Sequence, residues 1–167
     1  MLLRDAIPSD LPAIAALHVA SWRDVYRGIL PAAYLAEAVP AELAAKWAQV
    51  PEGVVLVADG SQGLAGFVWV QPGEEAYVDA LHVAAHGRGL GIGARLLAEA
   101  AARAQEAGAR SLYLYIIAGN DGAERFYRRL GAVETWRGPD PDFAVPTTSI
   151  RLDWPDISVL ARAADPA

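Results

Sequence analysis

The sequence predicts an α+β (mixed α/β) protein built on a central mixed, mostly antiparallel sheet with helices on both faces. Three observations predict this class: apolar residues at helical spacing fill the first 50 positions, three short strands follow, and a strand, a glycine-rich loop, a helix and another strand come next. Consecutive short strands favour antiparallel hairpins, whereas a helix between two strands favours a parallel pair. We therefore expect about six to seven strands in a single domain over residues 1–167.

The N-terminal part is expected to contain a short strand followed by helices. Leu2–Arg4 is a candidate strand, and Ser9 or Asp10 can cap the helix that follows it. Gly28 and Pro31 interrupt the helical pattern, so that further helical pieces begin after them. The predicted helices cover residues 10–22, 32–38 and 40–47.

The rest of the chain alternates strands with turn residues and two longer helices. Residues 59–63 and 71–75 are rich in Gly, Pro, Asp and Ser, which is typical of hairpin turns. A helix beginning near Gly91 ends before Gly108, and another ends before Gly131. The predicted strands are Val54–Ala58, Leu64–Val70, Ala76–Val83, Ser111–Ile117, Val133–Trp136 and Thr148–Leu152, and the two helices are 91–107 and 121–130.

Composition excludes several classes of function. The 14 Lys and Arg residues against 20 Asp and Glu give a net charge of −6, so that neither nucleic acid nor an anionic membrane is expected as a partner. The absence of cysteine excludes disulfides, a thiolate nucleophile and sulfur-ligated zinc, and the three histidines show no metal-ligand spacing. We expect no metal. A charged start and the lack of a long apolar run favour a soluble, cytoplasmic protein.

The loop Gly87–Gly93 predicts an anion site. It joins a strand that ends at Val83 to a helix, whose first N–H groups have no partner within the helix and point outward. Arg88 can add a charged contact to a phosphate, and the alternative is a flexible loop without a ligand. A dinucleotide site is disfavoured because the loop follows an antiparallel meander and no acidic residue closes the next strand; a Walker A lysine is also missing.

Two segments resemble the motifs of the GNAT superfamily of acetyl-CoA-dependent N-acetyltransferases. Leu81–Gly93 resembles the acetyl-CoA motif, whose Arg/Gln-x-x-Gly-x-Gly/Ala pattern is met by Arg88, Gly91 and Gly93. Asn120–Gly131 is similar to the second motif, Asn-x-x-Ala-x-x-Phe-Tyr-x-x-x-Gly. The element order along nearly the whole chain also fits this family.

The sequence departs from the family pattern at two positions. Ala85 stands where members often have proline, and Ala132 stands where they often have phenylalanine. Both departures concern loop stiffness and packing more than chemistry. The resemblance divides the chain into acceptor-side helices (10–50), an acetyl-CoA core (54–131) and C-terminal strands (132–154).

The resemblance implies a set of acetyl-CoA contacts. The main chain at Leu81 and Val83 would lie beside the pantetheine arm, and the Val83 N–H would polarise the thioester carbonyl. Asn120 and Tyr127 would contact the same arm. The pyrophosphate would rest on the N–H groups of Arg88, Gly89, Leu90, Gly91, Ile92 and Gly93.

The resemblance also implies catalytic groups. Tyr127 matches the position that commonly protonates the departing thiolate; the alternative is a tyrosine that packs its helix onto the sheet. Asp79 is the leading candidate for the base, since on an ideal strand it shares a face with Leu81 and Val83, although a bulge would alter this. His82 and the more distant Glu75 are alternative bases.

The acceptor pocket is expected at the first helix and the loop after it. Trp22 and Tyr26, with Tyr34 nearby, would provide aromatic walls; the alternative is that Trp22 packs against the sheet. The acceptor is a primary amine of a small molecule or a peptide, and a polyamine, an amino acid, an antibiotic and a protein N-terminus all remain open. A homodimer through the late strands is conceivable. The alternative function is an acyl-CoA sensor without turnover.

Overall fold

The computed structural model describes residues 1–140, 143 and 145–163. Positions 141, 142 and 144, within the predicted strand region 132–154, and positions 164–167 lie outside the described residues. The strands are β1 (Leu2–Asp5), β2 (Val54–Gly60), β3 (Gly63–Gln71), β4 (Glu75–Val83), β5 (Ser111–Ile117), β6 (Val133–Pro139) and β7 (Thr148–Trp154). The α-helices are α1 (Leu11–Val25), α2 (Val39–Lys46), α3 (Ile92–Glu106), α4 (Asp121–Arg129) and α5 (Ser158–Ala161).

The strands form a seven-stranded sheet in the order β1-β2-β3-β4-β5-β7-β6. Every neighbouring pair is antiparallel except β4 and β5, which are parallel and are connected through α3. The predicted class, a mixed and mostly antiparallel sheet with helices, is therefore confirmed. The short helix α5 and a 3-10 turn at Pro8–Asp10 were not predicted.

Each face of the sheet has its own apolar core. On one face, Leu96 and Leu97 of α3 and Leu160 of α5 pack on side chains such as Leu56 and Leu112. The opposite face carries α1 and Trp47, just after α2. The second core consists of Leu11, Ile14, Trp47, Val55, Val57, Phe67 and Ala80. The alternation of buried side chains along the strands thus commits one side of the sheet to α3 and α5 and the other to α1 and α2.

The segment predicted as a helix over 32–38 contains a π-helical turn, Tyr34–Ala38, which leads into α2. Pro40 has no N–H and so cannot bond the carbonyl of Ala36 as an α-helix requires. The Val39 N–H bonds the Tyr34 carbonyl five residues back, which leaves the Leu35 carbonyl without its α-helical partner. The Arg23 guanidinium on α1 donates to both the Leu35 and Ala36 oxygens, each at 3.2 Å. Arg23 therefore compensates for the main-chain bonds that proline displaces.

Strands β4 and β5 pair only where they begin. Their ladder joins Glu75, Ala76 and Tyr77 to Ser111, Leu112 and Tyr113. Beyond Tyr77, β4 continues along β3 to Val83, whereas β5 pairs with β7 as far as Ile117. The two central strands thus leave an opening between their C-terminal halves.

A β-bulge at Asp79 changes the facing that an ideal strand predicts. Trp69 of β3 pairs with Ala80, and the next residue, Val70, pairs with Val78, so Asp79 is the extra residue. Ala80 packs in the core beneath α1, whereas Leu81 packs on the core beneath α3. The strand is thus not ideal, and the alternative of a bulge applies: it shifts the alternation by one residue, so that Asp79 does not share a face with Leu81 and Val83.

The turn before β2 offers a test of the register between β2 and β3, in which Val54 pairs with Val70. Gly53 has φ +103°, and a Cβ on it would lie 2.2 Å from the carbonyl oxygen of Val70. Gly63 has a similar φ of +100° but no atom within 4 Å of such a Cβ, so Gly63→Ala is a control for backbone strain alone. We expect Gly53→Ala to lower the free energy of unfolding by about 1–3 kcal/mol more than Gly63→Ala, because a backbone oxygen cannot move aside. Urea unfolding of both variants measures this difference, and equal losses would contradict the described register.

Candidate active site

The loop after β4 forms a cradle of main-chain N–H groups. A 3-10 turn, Ala85–Gly87, ends β4, and α3 begins at Ile92. Gly89 and Gly91 have φ values of +78° and +74°, which favour glycine, and a Cβ at either would meet no atom within 4 Å. The space beside these residues is therefore open, and the first turn of the 15-residue helix α3 directs its N–H groups toward it. This cradle fits a phosphate group.

Two other glycines of the loop are required by packing. A Cβ on Gly87 would lie 2.8 Å from the side chain of Ile92 and 3.1 Å from the carbonyl oxygen of Ala65. A Cβ on Gly93 would lie 3.3 Å from the ring of Phe126. These close approaches hold the cradle against β3 and α4, so that Gly93 serves packing as well as any role toward a ligand.

The opening between β4 and β5 exposes main-chain groups of β4. The Ala84 N–H donates to the Ala65 carbonyl at 2.9 Å. Residues of an antiparallel ladder direct their main-chain groups alternately toward the partner strand and away from it. Leu81 and Val83, opposite Val68 and Gly66, therefore direct their N–H and C=O groups away from β3, toward the opening. This is the arrangement that an extended ligand needs to add itself beside β4.

Tyr127 projects from α4 into the same opening. The side chain is only 8% exposed, and its ring packs edge-on against Trp154 and Phe126 with centroids 6.0 and 5.0 Å apart. The Trp154 indole N–H in turn donates to the Leu130 carbonyl at 2.9 Å. Burial, with a smaller contribution from Tyr26, raises the pKa of Tyr127 above its ordinary value. The phenol therefore keeps its proton at neutral pH.

Asn120 connects α4 to α1. Its side-chain oxygen accepts a hydrogen bond from the Ala123 N–H at 3.3 Å and so caps α4. Burial raises the pKa of Tyr26, which lies just after α1, and the Asn120 side chain opposes this rise. Asn120 and Tyr26 both line the cleft described next.

These features surround one cleft of about 880 Å³. Leu90, which is 69% exposed, and Glu75 do not line it. The predicted site residues that line the cleft are Trp22, Tyr26, Asp79, Leu81, Val83, Arg88, Gly89, Gly91, Ile92, Gly93, Asn120 and Tyr127, together with the alternative base His82.

Asp79, the extra residue of the bulge, is held by two partners. Lys46 of α2 forms an ion pair with its carboxylate, and the Gln71 side-chain amide donates to it at 2.8 Å. The Lys46 ammonium also lies 5.3 Å from the centre of the Trp69 ring. Asp79 therefore presents a fixed carboxylate to the acceptor side of the cleft, with a cation beside it.

His82 and His18 form a pair of neutral imidazoles at the floor of the cleft. Their ring centres are 4.4 Å apart, His82 Nδ1 is 2.8 Å from the Ser21 hydroxyl, and His18 Nδ1 accepts the Trp47 indole N–H at 2.9 Å. Since His18 Nδ1 is an acceptor, the proton of its neutral ring lies on Nε2. Burial is the main reason why the pKa of His18 is lowered to about 2 and that of His82 to about 3. His82 and Lys46 contribute to the lowered pKa of His18, and Lys46 contributes to that of His82.

The comparisons with known proteins agree on one family. The model of the acetyltransferase (GNAT) family matches residues 19–132. The chain belongs to the GNAT acetyltransferase family. It is 28% identical over 168 residues, 95% of each chain, to an N-acetyltransferase of Bacillus subtilis, YuaI, whose name describes it as uncharacterized.

Solved structures share this GNAT fold. A GCN5-related N-acetyltransferase from Rhodopseudomonas palustris superposes with a TM-score of 0.74, at 22% identity over 91% of this chain and 93% of that chain. The PaiA N-acetyltransferase from Thermoplasma acidophilum, solved in complex with coenzyme A, gives 0.73 at 19% identity over 92% and 98%. Within the described part of the chain, no helix has the length and apolarity needed to cross a bilayer.

The end of this cleft near α1, where the acceptor pocket was expected, is aromatic, and Trp22 lies in it. Its ring lies 4.9 Å from Tyr26 and stacks on Phe143 at 6.0 Å with an interplanar angle of 9°. Phe143 was missed by the sequence analysis, because nothing near it in the chain indicates that its loop returns to the first helix. Tyr34 hydrogen-bonds to Glu42 at 3.0 Å and does not line the cleft.

Sequence reasoning also missed His18, Lys46 and Trp47. His18 lies among the apolar positions of the first helix, and this placement is a signal that its ring is buried. Arg88, expected to face a phosphate, forms an ion pair with Asp24 at the end of α1. That pair joins the end of α1 to the cradle.

The imidazole pair predicts a pH dependence of stability. In the unfolded chain both histidines titrate near pH 6.5, whereas in the native state they bind protons only near pH 2–3. Between these values the unfolded state binds more protons, so the contribution of the two histidines to stability is constant above about pH 6.5 and is lost as the pH falls toward 3. We expect His18→Gln to reduce the slope of unfolding free energy against pH between 6 and 4 by at most about 1.4 kcal/mol per pH unit.

The control for this measurement is His86→Gln, since His86 is exposed in the turn after β4. Urea unfolding from pH 7 to pH 4 gives the slope for each variant. A wild-type slope as small as that of His18→Gln would contradict the burial of a neutral imidazole.

Proposed function

We propose that this GNAT protein transfers an acetyl group from acetyl-CoA to a primary amine by direct attack, without an acetyl-enzyme. The observation that carries the proposal is the convergence of the glycine cradle, the outward-facing main chain of β4 and the buried Tyr127 phenol on one cleft. Direct transfer is favoured because the chain contains no cysteine to carry the acyl group.

Acetyl-CoA would lie across the opening between β4 and β5 and supply an activated acyl group. Main-chain groups of Leu81 and Val83 would pair with the pantetheine arm, and Asn120 would contact its other side. Within residues 88–93, the N–H groups of Gly89, Gly91, Ile92 and Gly93 would hold the pyrophosphate. Those of Arg88 and Leu90 instead donate to the Ala85 and Gly87 carbonyls, each at 3.4 Å. The open space beside Gly89 and Gly91, where a Cβ would meet nothing within 4 Å, supports this role.

The Val83 N–H and the Tyr127 phenol would each perform one step of the proposed reaction. The Val83 N–H would donate to the thioester carbonyl oxygen as negative charge develops there. Tyr127 would give its proton to the thiolate sulfur as the C–S bond breaks. Burial raises the pKa of this phenol, which disfavours the phenolate that the transfer leaves behind. A phenolate would be left in a buried site, so the proton must return before the next turnover.

The attacking amine must lose a proton, and we assign its uptake to Asp79, directly or through water. The bulge presents this carboxylate to the acceptor side of the cleft. His82 is the weaker candidate, since burial disfavours its protonated form. Glu75 is bound to Arg151 at 2.9 Å and lies outside the cleft lining.

Tyr127→Phe tests the proposal against the alternative of a sensor. With acetyl-CoA and a panel of primary amines, we expect release of free thiol by the wild type and a kcat lower by about 10²–10⁴-fold in the variant, with the Kd for acetyl-CoA unchanged. Tyr34→Phe, which removes a hydroxyl bound to Glu42 outside the cleft, is the matched control. If the wild type binds acetyl-CoA but releases no thiol with any amine, the sensor replaces the enzyme.

Asp79→Asn tests the assignment of the base. The variant keeps the shape of the side chain and removes its basicity, so we expect kcat/KM at neutral pH to fall by about 10²-fold or more while acetyl-CoA affinity is kept. The comparison is His82→Gln, measured over the same pH range. A larger loss in His82→Gln than in Asp79→Asn would transfer the role to the imidazole pair.

A further inference from the structure

The end of the cleft near α1 is walled by a third apolar cluster, separate from the two cores on the faces of the sheet. It joins the end of α1, the helix α2, the end of β5 and the loop after β6. Among the three clusters of described residues, it alone has more partly buried than fully buried apolar side chains. Its members that also line the cleft are Trp22, Tyr26, Leu43, Ile117 and Phe143. Apolar surface that the fold leaves uncovered therefore faces the cleft.

The aromatic rings of this cluster hold one another in place. Trp22 meets Tyr26 edge-on and stacks on Phe143, and His18 meets Trp22 edge-on with ring centres 6.1 Å apart. The Tyr34 ring, outside the cleft lining, contacts Phe143 with ring centres 6.2 Å apart. Segments distant in the chain thus fix the same wall. Side chains that are already fixed lose little freedom when a ligand packs against them, which favours binding.

The polar groups beside this wall carry no net charge. Lys46 and Asp79 form an ion pair, and the Gln71 amide donates to the same carboxylate. The imidazoles of His18 and His82 are neutral. A second charge on a ligand would have to break the ion pair to find a partner here. Its desolvation would therefore cost free energy that no new contact returns.

The other charged side chains of the cleft lining are engaged or lie elsewhere. In the part of the chain that the structure describes, these are Arg88, Asp140 and Arg129. Arg88 pairs with Asp24, and Asp140 is held by more than one neighbour, among them the Ser149 hydroxyl at 2.9 Å. Arg129 belongs to α4, whose apolar residues pack on the core beneath α3, on the opposite face of the sheet from α1. The end near α1 therefore offers apolar contact to a ligand.

We propose that the acceptor is a primary amine whose remaining part is an uncharged apolar group, packed against Trp22, Leu43 and Phe143. The proposal rests on the acetyl transfer proposed above and names the class of acceptor. The apolar group covers surface that the fold leaves exposed, and this burial favours binding. An aromatic group fits best, because rings pack favourably edge-on or offset against other rings. The amine of the same ligand reaches Asp79, which lines the same cleft.

A matched set of amines tests the proposal with the intact protein. Thiol release at saturating acetyl-CoA is measured with n-hexylamine, with 1,5-diaminopentane, in which an ammonium group replaces the terminal methyl group, and with 5-aminopentanoate, which ends in a carboxylate. We expect kcat/KM per concentration of neutral amino groups to be at least about tenfold higher for hexylamine than for either charged compound. 2-Phenylethylamine should exceed ethylamine by at least about tenfold through KM, because only the first has a ring to bury.

Variants then locate the preference. Trp22→Gln and Phe143→Gln should each reduce the ratio of kcat/KM for 2-phenylethylamine over ethylamine at least about fivefold. Phe143→Glu adds a carboxylate to the wall and should raise the ratio for 1,5-diaminopentane over hexylamine at least about fivefold. The control is Trp136→Leu, which removes an exposed ring of β6 outside this cleft and should leave both ratios unchanged. Thermal unfolding of each variant shows that the comparison is between folded proteins.

The outcomes separate this inference from the proposed function. Equal kcat/KM values for hexylamine and the charged compounds, or a preference for either charged compound, overturn the apolar assignment and leave acetyl transfer intact. No thiol release with any amine overturns acetyl transfer itself, and this inference with it. Isothermal titration covers the remaining occupant of the wall. If Trp22→Gln and Phe143→Gln weaken acetyl-CoA binding and leave the ratio of the amines unchanged, the wall holds the pantetheine arm and the inference is overturned.

Discussion

The separation of β4 from β5 after Tyr77 and Tyr113 is the constraint on which the rest of this structure depends. In a closed sheet the main-chain groups of Leu81 and Val83 would be satisfied by the neighbouring strand, and no ligand could reach them. The bulge at Asp79 lies just beyond the last paired residues and adds twist to β4 where it leaves its neighbour. One extra residue therefore helps to open the sheet and also turns a carboxylate toward the acceptor side.

The opening can bind a ligand only because side-chain packing fixes the elements on both sides of it. The missing Cβ atoms of Gly87 and Gly93 allow the cradle to approach β3 and α4 closely. Trp154 packs against Tyr127 and ties itself to the end of α4 through the Leu130 carbonyl. These contacts use small and large residues in complementary positions, so that the phenol, the cradle and the exposed main chain are all fixed by the same core.

Much of the fold follows from the sequence because its turns are strongly marked. Gly, Pro and Asp clusters delimit β2, β3 and β4, and the predicted bounds of β5 agree with those observed. The π-helical turn at Tyr34–Ala38 was not predictable, since its compensation by Arg23 is a tertiary contact. The bulge at Asp79 also depends on a tertiary relation, because the pairing with β3 defines it and the residues of β4 alone do not.

The residues of the site likewise fall into those that the local sequence predicts and those that it does not. The cradle and Tyr127 could be predicted from local motifs, and the apolar helical spacing around His18 indicates that its ring is buried. Lys46 and Phe143 come from segments far apart in the chain, and neither carries a local signal of its place in the cleft.

The distribution of charge at one end of the cleft fits the proposed reaction. There Asp79 is paired with Lys46, and the two buried imidazoles are neutral. In the proposed reaction the amine must lose its proton before it attacks, and surroundings without net charge do not stabilise that amine as a cation.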